Sequence, residues 1–349
     1  MSGHLGLRLK ILILKPSSLG DVVHALPVLR LLRLHFGEAE IYWWVATPLA
    51  GLLEDDPDLT GVFRFDRKRW VSPFHWQEAM RSLLDMRSHR FDWVIDLQGL
   101  LRSGVVSWLS GGEFCVGVED SREGAPAFYD LAVSRPSPQT HAVDWNLEVL
   151  RRVGVPTNRR FEWMPSRLGV QAKIRQKWMV NGFRWVGFQP GARWINKRWP
   201  LDHYAALATQ LLREVEDLRI AVFGGEDDAD SGAALRQACG ERCLDLTGRT
   251  LLAETVEWLR LCSVLVTNDT GPMHIAAAVG TPVVGLFGPT DPRRTGPYGQ
   301  VEKVLRISIE CAPCMKSTCN HEEPVACLTR LSPDAVFREV LARMESPEA

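Results

Sequence analysis

The sequence predicts an α/β protein made of two doubly wound parallel-sheet domains, and three observations support this fold class. The chain has 349 residues, which at about 150 residues per domain suggests two separate cores. Short apolar runs that suit strands buried on both faces alternate with helix-length segments. The alternation occurs in both halves of the chain, as expected when each half forms its own doubly wound sheet.

The first half contains four strand candidates, which are LKILILK at 9–15, IYWWVAT at 41–47, FDWVIDLQ at 91–98 and FCVGVE at 114–119. Behind the first of them, VVHALPVLRLLRLHF at 22–36 has the apolar spacing of one helix face. Pro27 lies inside this segment, and proline lacks the amide that continues a helix. We therefore expect a helix that is kinked or restarted at Pro27.

The second half repeats the pattern with strand candidates RWVGFQPG at 184–191, LRIAVFGG at 218–225, SVLVTND at 263–269 and TPVVGLFGPT at 281–290. Helical patterns occupy 201–215 and 251–262 between them. The segment 153–178 is rich in Pro, Gly and Arg and carries little strand signal. We place the domain boundary there, giving domains 1–168 and 169–349, with a last helix that is able to pack back on the first domain.

Composition limits the function classes. The 41 basic residues balance 42 acidic ones, whereas a nucleic-acid-binding domain is usually strongly basic. The longest apolar stretch, at 275–288, is interrupted by glycine and proline, and the N-terminus lacks a long apolar segment behind its positive charges. These features predict a soluble intracellular protein whose binding residues must be found locally.

Four of the eight cysteines form a C-x2-C-x4-C-x7-C cluster, which consists of Cys311, Cys314, Cys319 and Cys327. One Cys-x-x-Cys pair suits a metal site, but structural zinc sites usually combine two such pairs. The alternative is a loop of buried thiols, and we predict no metal.

Three loops at predicted strand ends carry candidate binding residues. In TNDTGPMH at 267–274, Asp269 or Thr270 can cap a helix, and Gly271 opens the backbone so that free amides can meet an anion such as a diphosphate. His274 either contacts the same anion or is a buried, hydrogen-bonded histidine. The loop PGARWINKRWP at 190–200 offers Lys197 and two arginines for a phosphate, unless it is simply a solvated basic loop.

The third loop, KPSSLGDVVH at 15–24, places Asp21 at a strand-to-helix turn. An aspartate there either caps the helix, whose N-terminus favours negative charge, or acts as a general base toward a nearby hydroxyl. Position alone does not separate these roles. None of the three loops has the G-x-G-x-x-G or G-x-x-x-x-G-K-[ST] pattern. Hydride transfer with a dinucleotide cofactor and a P-loop therefore both receive little support.

These segments together resemble the ADP-heptose:lipopolysaccharide heptosyltransferases of glycosyltransferase family 9. The resemblance covers nearly the whole chain, from KPSSLGDVVHALP through DLQGLLRSG at 96–104 and HAVDWN at 141–146 to PGARWINKRWP, FGGEDD, DLTGRT and TNDTGPMHIAAAVGTPVVGLFGPTDP. It implies the GT-B architecture, in which two Rossmann-like domains face a central cleft. It also implies an inverting, metal-independent transfer of heptose from ADP-heptose to the lipopolysaccharide inner core.

The resemblance further implies roles for individual residues. Asp21 would be the general base, and Lys197 would offset the charge of the leaving group. The residues that would bind the donor nucleotide-sugar are Asp269, Thr270, Gly271, His274, Glu226 or Asp228 at the ribose, and Thr247, Gly248 and Arg249 beside the adenine. The residues that would bind the acceptor are Lys15, Ser17, Ser18, Arg102 and His141. The ADP-sugar is a substrate, and no cofactor is expected.

The expected partners are ADP-heptose and the lipopolysaccharide acceptor. The expected location is the cytoplasm, either free or at the inner face of the inner membrane. The segment RFDRKRWVSPFHW at 64–76 either touches the membrane surface or binds anionic sugar. Two other functions stay open at this point: a family relative that transfers a different nucleotide-activated sugar, and a non-catalytic sugar-nucleotide-binding module. The position of the heptose in the core, first or second, is also open.

Overall fold

The computed structural model describes residues 8–70, 73–119 and 123–345, and it divides into two compact units, Met1–Pro165 and Ser166–Ala349. The division falls a few residues before the boundary expected from the sequence. Val71 and Ser72 of the segment 64–76 lie outside the described residues. No helix in the described part of the chain is long and apolar enough to cross a membrane.

The first unit is a parallel sheet with strand order β3-β2-β1-β4-β5-β6. Its strands are β1 (Lys10–Leu14), β2 (Glu40–Ala46), β3 (Gly61–Phe65), β4 (Trp93–Asp96), β5 (Phe114–Glu119) and β6 (Leu131–Ser134). Its helices are α1 (Leu19–His35), α2 (Arg67–Trp70), α3 (Trp76–Ser88), α4 (Leu101–Ser110) and α5 (Ala142–Arg152). The chain leaves β1 toward β2 on one side and returns to β4 on the other, so the order reverses between β1 and β4.

The second unit is a parallel sheet with order β11-β10-β7-β8-β9. Its strands are β7 (Arg184–Gln189), β8 (Leu218–Val222), β9 (Cys243–Asp245), β10 (Cys262–Asn268) and β11 (Val283–Leu286). Its helices are α6 (Leu168–Trp178), α7 (Leu201–Glu214), α8 (Ala229–Cys239), α9 (Leu252–Leu261), α10 (Gly271–Ala278), α11 (Pro292–Thr295), α12 (Ala326–Thr329) and α13 (Pro333–Glu345). Here the order reverses between β7 and β10.

The predicted α/β class with two doubly wound domains is confirmed. All eight apolar runs identified in the sequence form strands, because each is long enough and buried on both faces. The sequence analysis missed β3, β6 and β9, which lie at sheet edges. Each of them has a single fully buried residue, so it lacks the continuous apolar run that identified the others.

Helix α1 is continuous from Leu19 to His35, with Pro27 inside it. Of the two expected outcomes at Pro27, the restart is therefore wrong, and the kink stays a prediction. Nearly every residue from Val22 to Leu32 is buried, and α1 packs on α5, so tertiary packing holds the helix through the position where proline removes one amide.

The last helix, α13, packs against α7, β10 and β11 of the second unit. Its fully buried residues Val336 and Val340 belong to the same core cluster as Val264 and Val266 of β10. The apolar face of α13 is thus used within the second unit, and the suggestion that this helix packs back on the first domain stays a prediction.

A buried ion pair fixes the C-terminal half of α1 to the rest of the first unit. Arg30 donates from its two terminal nitrogens to the two carboxylate oxygens of Asp56, at 2.6 and 2.5 Å. The same guanidinium also donates to Asp58 at 2.6 Å and to the Trp163 carbonyl at 3.0 Å. Only about 5% of the Arg30 side chain and 3% of the Asp56 side chain are exposed. This geometry ties α1 to the loop after β2 and to the end of the unit.

We predict that Arg30→Met lowers the free energy of unfolding by about 3–5 kcal/mol, because it leaves the Asp56 carboxylate buried without its partner. Urea denaturation followed by circular dichroism measures the change. The matched control is Arg184→Met, whose bidentate pair with Asp217 is about half exposed, and it is expected to lose far less. Equal losses in the two variants would contradict the assignment.

Candidate functional site

The candidate residues of the first unit lie where its strand order reverses. In a parallel sheet the loops that leave two such neighbouring strands run to opposite faces, and the gap between them is the usual ligand position. The loop after β1 carries Lys15, Ser17 and Ser18, and the loop after β4 begins at Leu97. The structure therefore brings three of the predicted acceptor-binding residues to one place.

Lys15 is a buried cation in this gap. Its ammonium donates to the Leu97 carbonyl at 2.5 Å and so joins the loops after β1 and β4. Burial lowers the pKa of Lys15, while the nearby carboxylates of Asp21 and Asp96 act in the opposite direction. Lys15 is only 8% exposed. Its main role is therefore to stabilise the loop and the nearby carboxylates, and direct contact with a ligand is secondary.

Asp21 occupies the first turn of α1 and is partly exposed. One carboxylate oxygen accepts from the Ser18 backbone N–H at 2.9 Å and from the Ser18 hydroxyl at 2.7 Å. This is a capping arrangement at the positive end of the helix dipole. The capping role is thus present, and both of these bonds use a single carboxylate oxygen.

Asp96, which the sequence analysis did not select, is the most enclosed carboxylate of this gap. It is 0% exposed and accepts from the Tyr129 hydroxyl at 2.6 Å and from the Gln98 and Gly99 amides at 2.8 and 3.2 Å. Burial raises the pKa of Asp96, and the hydrogen bonds from Tyr129 and the amides partly offset this. The available signal was its position as the last residue of β4 and the first residue of DLQG.

Two other predicted acceptor residues have different surroundings. Arg102 is in the first turn of α4, partly exposed, with its guanidinium 5.5 Å from the centre of the Phe65 ring. Burial and the positive charge of Arg67 lower the pKa of Arg102. His141 is only 6% exposed, caps α5 by accepting from the Val143 amide at 3.2 Å, and packs edge-on against His24. Its ring therefore has a structural role, and only Arg102 is open to an anionic ligand.

In the second unit, Lys197, Asp269, Thr270 and Gly271 follow the two strands between which the strand order reverses, β7 and β10. Asn268 at the end of β10 donates to the Pro190 carbonyl at 2.6 Å and accepts from the Trp199 amide at 3.0 Å. The Tyr204 hydroxyl donates to the Gln189 carbonyl at 3.2 Å. These bonds fix the loop after β7, so that its lysine projects over the end of β10.

That lysine, Lys197, forms an ion pair with Asp269. Its ammonium lies 2.6 Å from one carboxylate oxygen, which also accepts from the Thr290 hydroxyl at 2.7 Å. The same ammonium lies 4.6 Å from the centre of the Trp194 ring, a cation–π contact. About 17% of the Lys197 side chain and 7% of the Asp269 side chain are exposed, so Asp269 holds the lysine while the lysine remains reachable.

Helix α10 begins beside this pair. Thr270 is its N-cap, Pro272 lies in its first turn, and the helix extends from Gly271 to Ala278. The first amides of such a helix have no internal partner and attract anions. His274 is 7% exposed, so the structure favours the buried histidine of the two alternatives.

The structure separates the two acidic candidates after β8. Asp228 accepts from the Gly225 amide at 3.1 Å, and its carboxylate lies 4.0 Å from Arg198. Its Oδ1 would be 2.2 Å from a Cβ at Gly191, which explains the glycine there. Glu226, by contrast, is exposed at the carboxyl end of the sheet. Of these two carboxylates, Glu226 is the one available to a ligand.

The turn after β9 lies directly beside Glu226. Gly248 has φ of +66°, and a Cβ at this position would lie 3.1 Å from Cγ of Glu226, so both conformation and space require glycine. Arg249 is exposed in the same turn. Thr247 is 5% exposed, and its hydroxyl donates inward to Asp245 at 2.6 Å, so this side chain has a structural role.

The cysteine cluster lies in a segment that contacts the loop after β7, where the Asn196 side chain donates to the Lys316 carbonyl at 2.9 Å. Cys311 and Cys319 are exposed, Cys314 is partly exposed, and Cys327 is buried. Burial, together with the three neighbouring thiols, raises the pKa of Cys327 to about 11. Within residues 8–70, 73–119 and 123–345, no group of three or more His, Cys, Asp or Glu side chains is arranged to hold a metal ion.

Comparison with known proteins gives the family. A model described as glycosyltransferase family 9 (heptosyltransferase) matches residues 80–324. Lipopolysaccharide heptosyltransferase 1 of Pseudomonas aeruginosa is 28% identical over 364 residues, covering 97% of this chain and 99% of that protein. Lipopolysaccharide heptosyltransferase 2 of Escherichia coli is 27% identical, with 86% of this chain and 88% of that protein covered.

The solved structure of E. coli ADP-heptose lipopolysaccharide heptosyltransferase II is similar, with a TM-score of 0.79 at 25% identity, covering 98% of this chain and 100% of that one. This likeness confirms the GT-B fold class. The family match at 80–324 includes residues of both units and spans more than half of the chain. The chain therefore belongs to glycosyltransferase family 9, the heptosyltransferases.

Proposed function

We propose that this protein transfers a heptose from ADP-heptose to the inner core of lipopolysaccharide, with inversion at the anomeric carbon and without a metal ion. One observation carries the proposal: each sheet places its chemically useful residues at its own strand-order reversal. The first unit has the carboxylate of Asp21 there, and the second has the cation of Lys197 beside the start of α10. The similar E. coli structure is described as an ADP-heptose enzyme, which supports the choice of donor.

The second unit is the donor-binding unit in this proposal. The diphosphate lies against the first amides of α10 and the Lys197 ammonium, which together supply positive charge. The nucleoside extends along the carboxyl edge of the sheet toward β8 and β9. There Glu226 accepts from the ribose hydroxyls, and the adenine lies beside Gly248 and Arg249.

Asp269 has an indirect role in this arrangement. A carboxylate repels a diphosphate, so its position near the anion needs a reason, and the 2.6 Å bond to Lys197 provides one. Asp269, itself held by Thr290, fixes the lysine at the end of β10 before the donor arrives. The ammonium has three donor hydrogens and can bond the carboxylate and a phosphate oxygen together.

The first unit supplies the base. Asp21 accepts the proton of the acceptor hydroxyl as that oxygen forms a bond to the anomeric carbon, and the bond from the same carbon to ADP breaks with its electron pair leaving on the diphosphate. One displacement of this kind inverts the configuration and requires no sugar–enzyme intermediate. Lys197 and the α10 amides stabilise the charge that grows on the leaving diphosphate, which is the role a metal has in other transferases.

The acceptor is strongly anionic, and the first unit carries two cations in the segments that follow β1 and β4. Arg102 in the first turn of α4 presents a partly exposed guanidinium suited to bidentate binding of phosphate or carboxylate. Lys15 supplies buried positive charge beside Asp21 and Asp96. Ser17 and Ser18, in the loop between Lys15 and Asp21, add two hydroxyls.

The first test concerns the base. Asp21→Asn keeps an oxygen that accepts from Ser18 and removes the proton acceptor, so we predict a loss of heptose transfer of about 10²–10⁴-fold with donor binding unchanged. Transfer is measured by mass spectrometry of the acceptor, and binding by calorimetry. The control is Glu254→Gln, which alters an equivalent cap in α9, where Glu254 accepts from the Leu251 amide. Full activity in Asp21→Asn would remove the base from the mechanism.

The second test concerns the charge at the diphosphate. Lys197→Met should weaken ADP binding about tenfold or more, because a charge-assisted hydrogen bond is lost, and Lys173→Met on the surface of α6 should not. Calorimetry gives both dissociation constants. Transfer by the unaltered protein should persist in EDTA. An unchanged dissociation constant in Lys197→Met, or loss of transfer in EDTA, would refute this part of the proposal.

The third test separates the two acidic residues after β8. Glu226→Gln should weaken ADP binding several-fold and leave stability unchanged, since Glu226 is exposed and bonds the ligand. Asp228→Asn should lower thermal stability, since Asp228 caps its own loop. Reversal of these two outcomes would assign the ribose contact to Asp228.

A further inference from the structure

Helix α3 of the first unit has an apolar face that the rest of the unit leaves uncovered. Trp76, Met80 and Leu84 are spaced by four residues and therefore lie on one side of the helix. They are 57%, 45% and 58% exposed, and Phe74 just before the helix is 90% exposed. Met86, on the other side, is fully buried against the sheet. We call Phe74, Trp76, Met80 and Leu84 the α3 face.

Helix α4 extends this surface. It packs beside α3, and Arg87 at the end of α3 donates to the Leu109 carbonyl of α4 at 3.2 Å. Leu101 and Trp108 of α4 are 48% and 62% exposed. Large apolar side chains exposed together on two adjacent helices are unusual for a monomeric surface and indicate a binding surface.

The charges around the α3 face have one predominant sign. Residues 64–90 contain seven Lys and Arg against three Asp and Glu, in a chain whose net charge is −1. Arg69 pairs with Glu78 at 3.2 Å, and Arg64 pairs with Glu54, outside this segment, at 2.6 Å, so the segment still has an excess of positive charge. Arg67 and Arg81 are exposed. The surface is thus apolar and aromatic within a basic surround, which is the composition of helices that lie in the interface of an anionic membrane.

The orientation of the two helices connects this surface with the candidate active site. Strands β3, β4 and β5 are parallel, so the connections through α3 and α4 begin at their carboxyl ends. Trp76 and Leu101, the first residues of the two helices, therefore lie toward the edge of the sheet that carries Asp21. Arg102, next to Leu101, is at the same edge.

The excess of positive charge around the α3 face also indicates which kind of partner covers it. A symmetric contact between two copies of this chain would bring the same excess of positive charge together from both sides, which disfavours a dimer here. A bilayer rich in anionic phospholipid offers the opposite charge together with an apolar interior for Trp and Phe.

We propose that the α3 face, with Leu101 and Trp108, docks on the surface of an anionic phospholipid bilayer. The aromatic and aliphatic side chains enter the headgroup region, and Arg67 and Arg81 bind lipid phosphates. Docking in this way leaves the carboxyl edge of the first sheet beside the membrane, where a lipid-anchored acceptor is held. The proposal concerns binding alone and is tested without donor, acceptor or turnover.

The test is flotation with vesicles of phosphatidylcholine containing about one third phosphatidylglycerol, compared with phosphatidylcholine alone. We expect the protein to float with the anionic vesicles, and Trp76→Ser and Leu84→Ser each to lower its partition coefficient about tenfold. Arg81→Gln should lower it about fivefold at low salt. The matched controls are Leu168→Ser for apolar exposure and Arg338→Gln for charge, both on exposed positions of the second unit.

The wild-type protein remaining in solution with both kinds of vesicle would overturn the proposal. So would equal partitioning of Trp76→Ser and Leu168→Ser, or binding to neutral vesicles that Arg81→Gln leaves unchanged. A concentration-dependent dimer that Trp76→Ser abolishes, without vesicle binding, would assign the α3 face to self-association. Because each substituted side chain is exposed, the variants are expected to melt at the wild-type temperature, which circular dichroism checks.

Discussion

The site depends on one kind of interaction, which occurs in both sheets. A lysine that follows one of the two strands at the strand-order reversal bonds a group that follows the other strand. In the first unit Lys15 follows β1 and bonds the carbonyl after β4, with Asp96 close by. In the second unit Lys197 follows β7 and pairs with Asp269 after β10. At such a reversal the loops leave the two neighbouring strands toward opposite faces of the sheet, and a gap lies between them. The lysine of one loop bonds the other loop and so joins the two across this gap.

The two lysines differ in exposure, and this difference divides the chemistry between the units. Lys15 is buried, so its charge acts on the neighbouring carboxylates and leaves Asp21 as the group open to a ligand. Lys197 keeps part of its surface accessible and adjoins the amides of α10, so the second unit is the one prepared for an anion. Family membership and this difference are the basis of the proposed assignment. The second unit binds the donor, and the first unit activates the acceptor.

The sequence was sufficient for eight of the eleven strands in the described residues and for the loops that carry the site, because buried strands and glycine-containing turns leave local signals. It was insufficient where the outcome depends on tertiary contacts. The burial of His141, for example, involves the ring of His24, which is distant in the sequence. Asp96 was missed because its bond from the Tyr129 hydroxyl comes from a distant part of the sequence and leaves no local signal. Glu226 and Asp228 became distinguishable only when Gly191 was seen to leave room for the second.

A crystal structure with acceptor and an unreactive analogue of ADP-heptose tests the central claim most directly. The account predicts that the Lys197 ammonium lies within about 3 Å of a diphosphate oxygen, while a carboxylate oxygen of Asp21 lies within about 3 Å of the acceptor hydroxyl, which faces the anomeric carbon. A complex in which Asp21 bonds only Ser18 and another group meets the acceptor hydroxyl would contradict it.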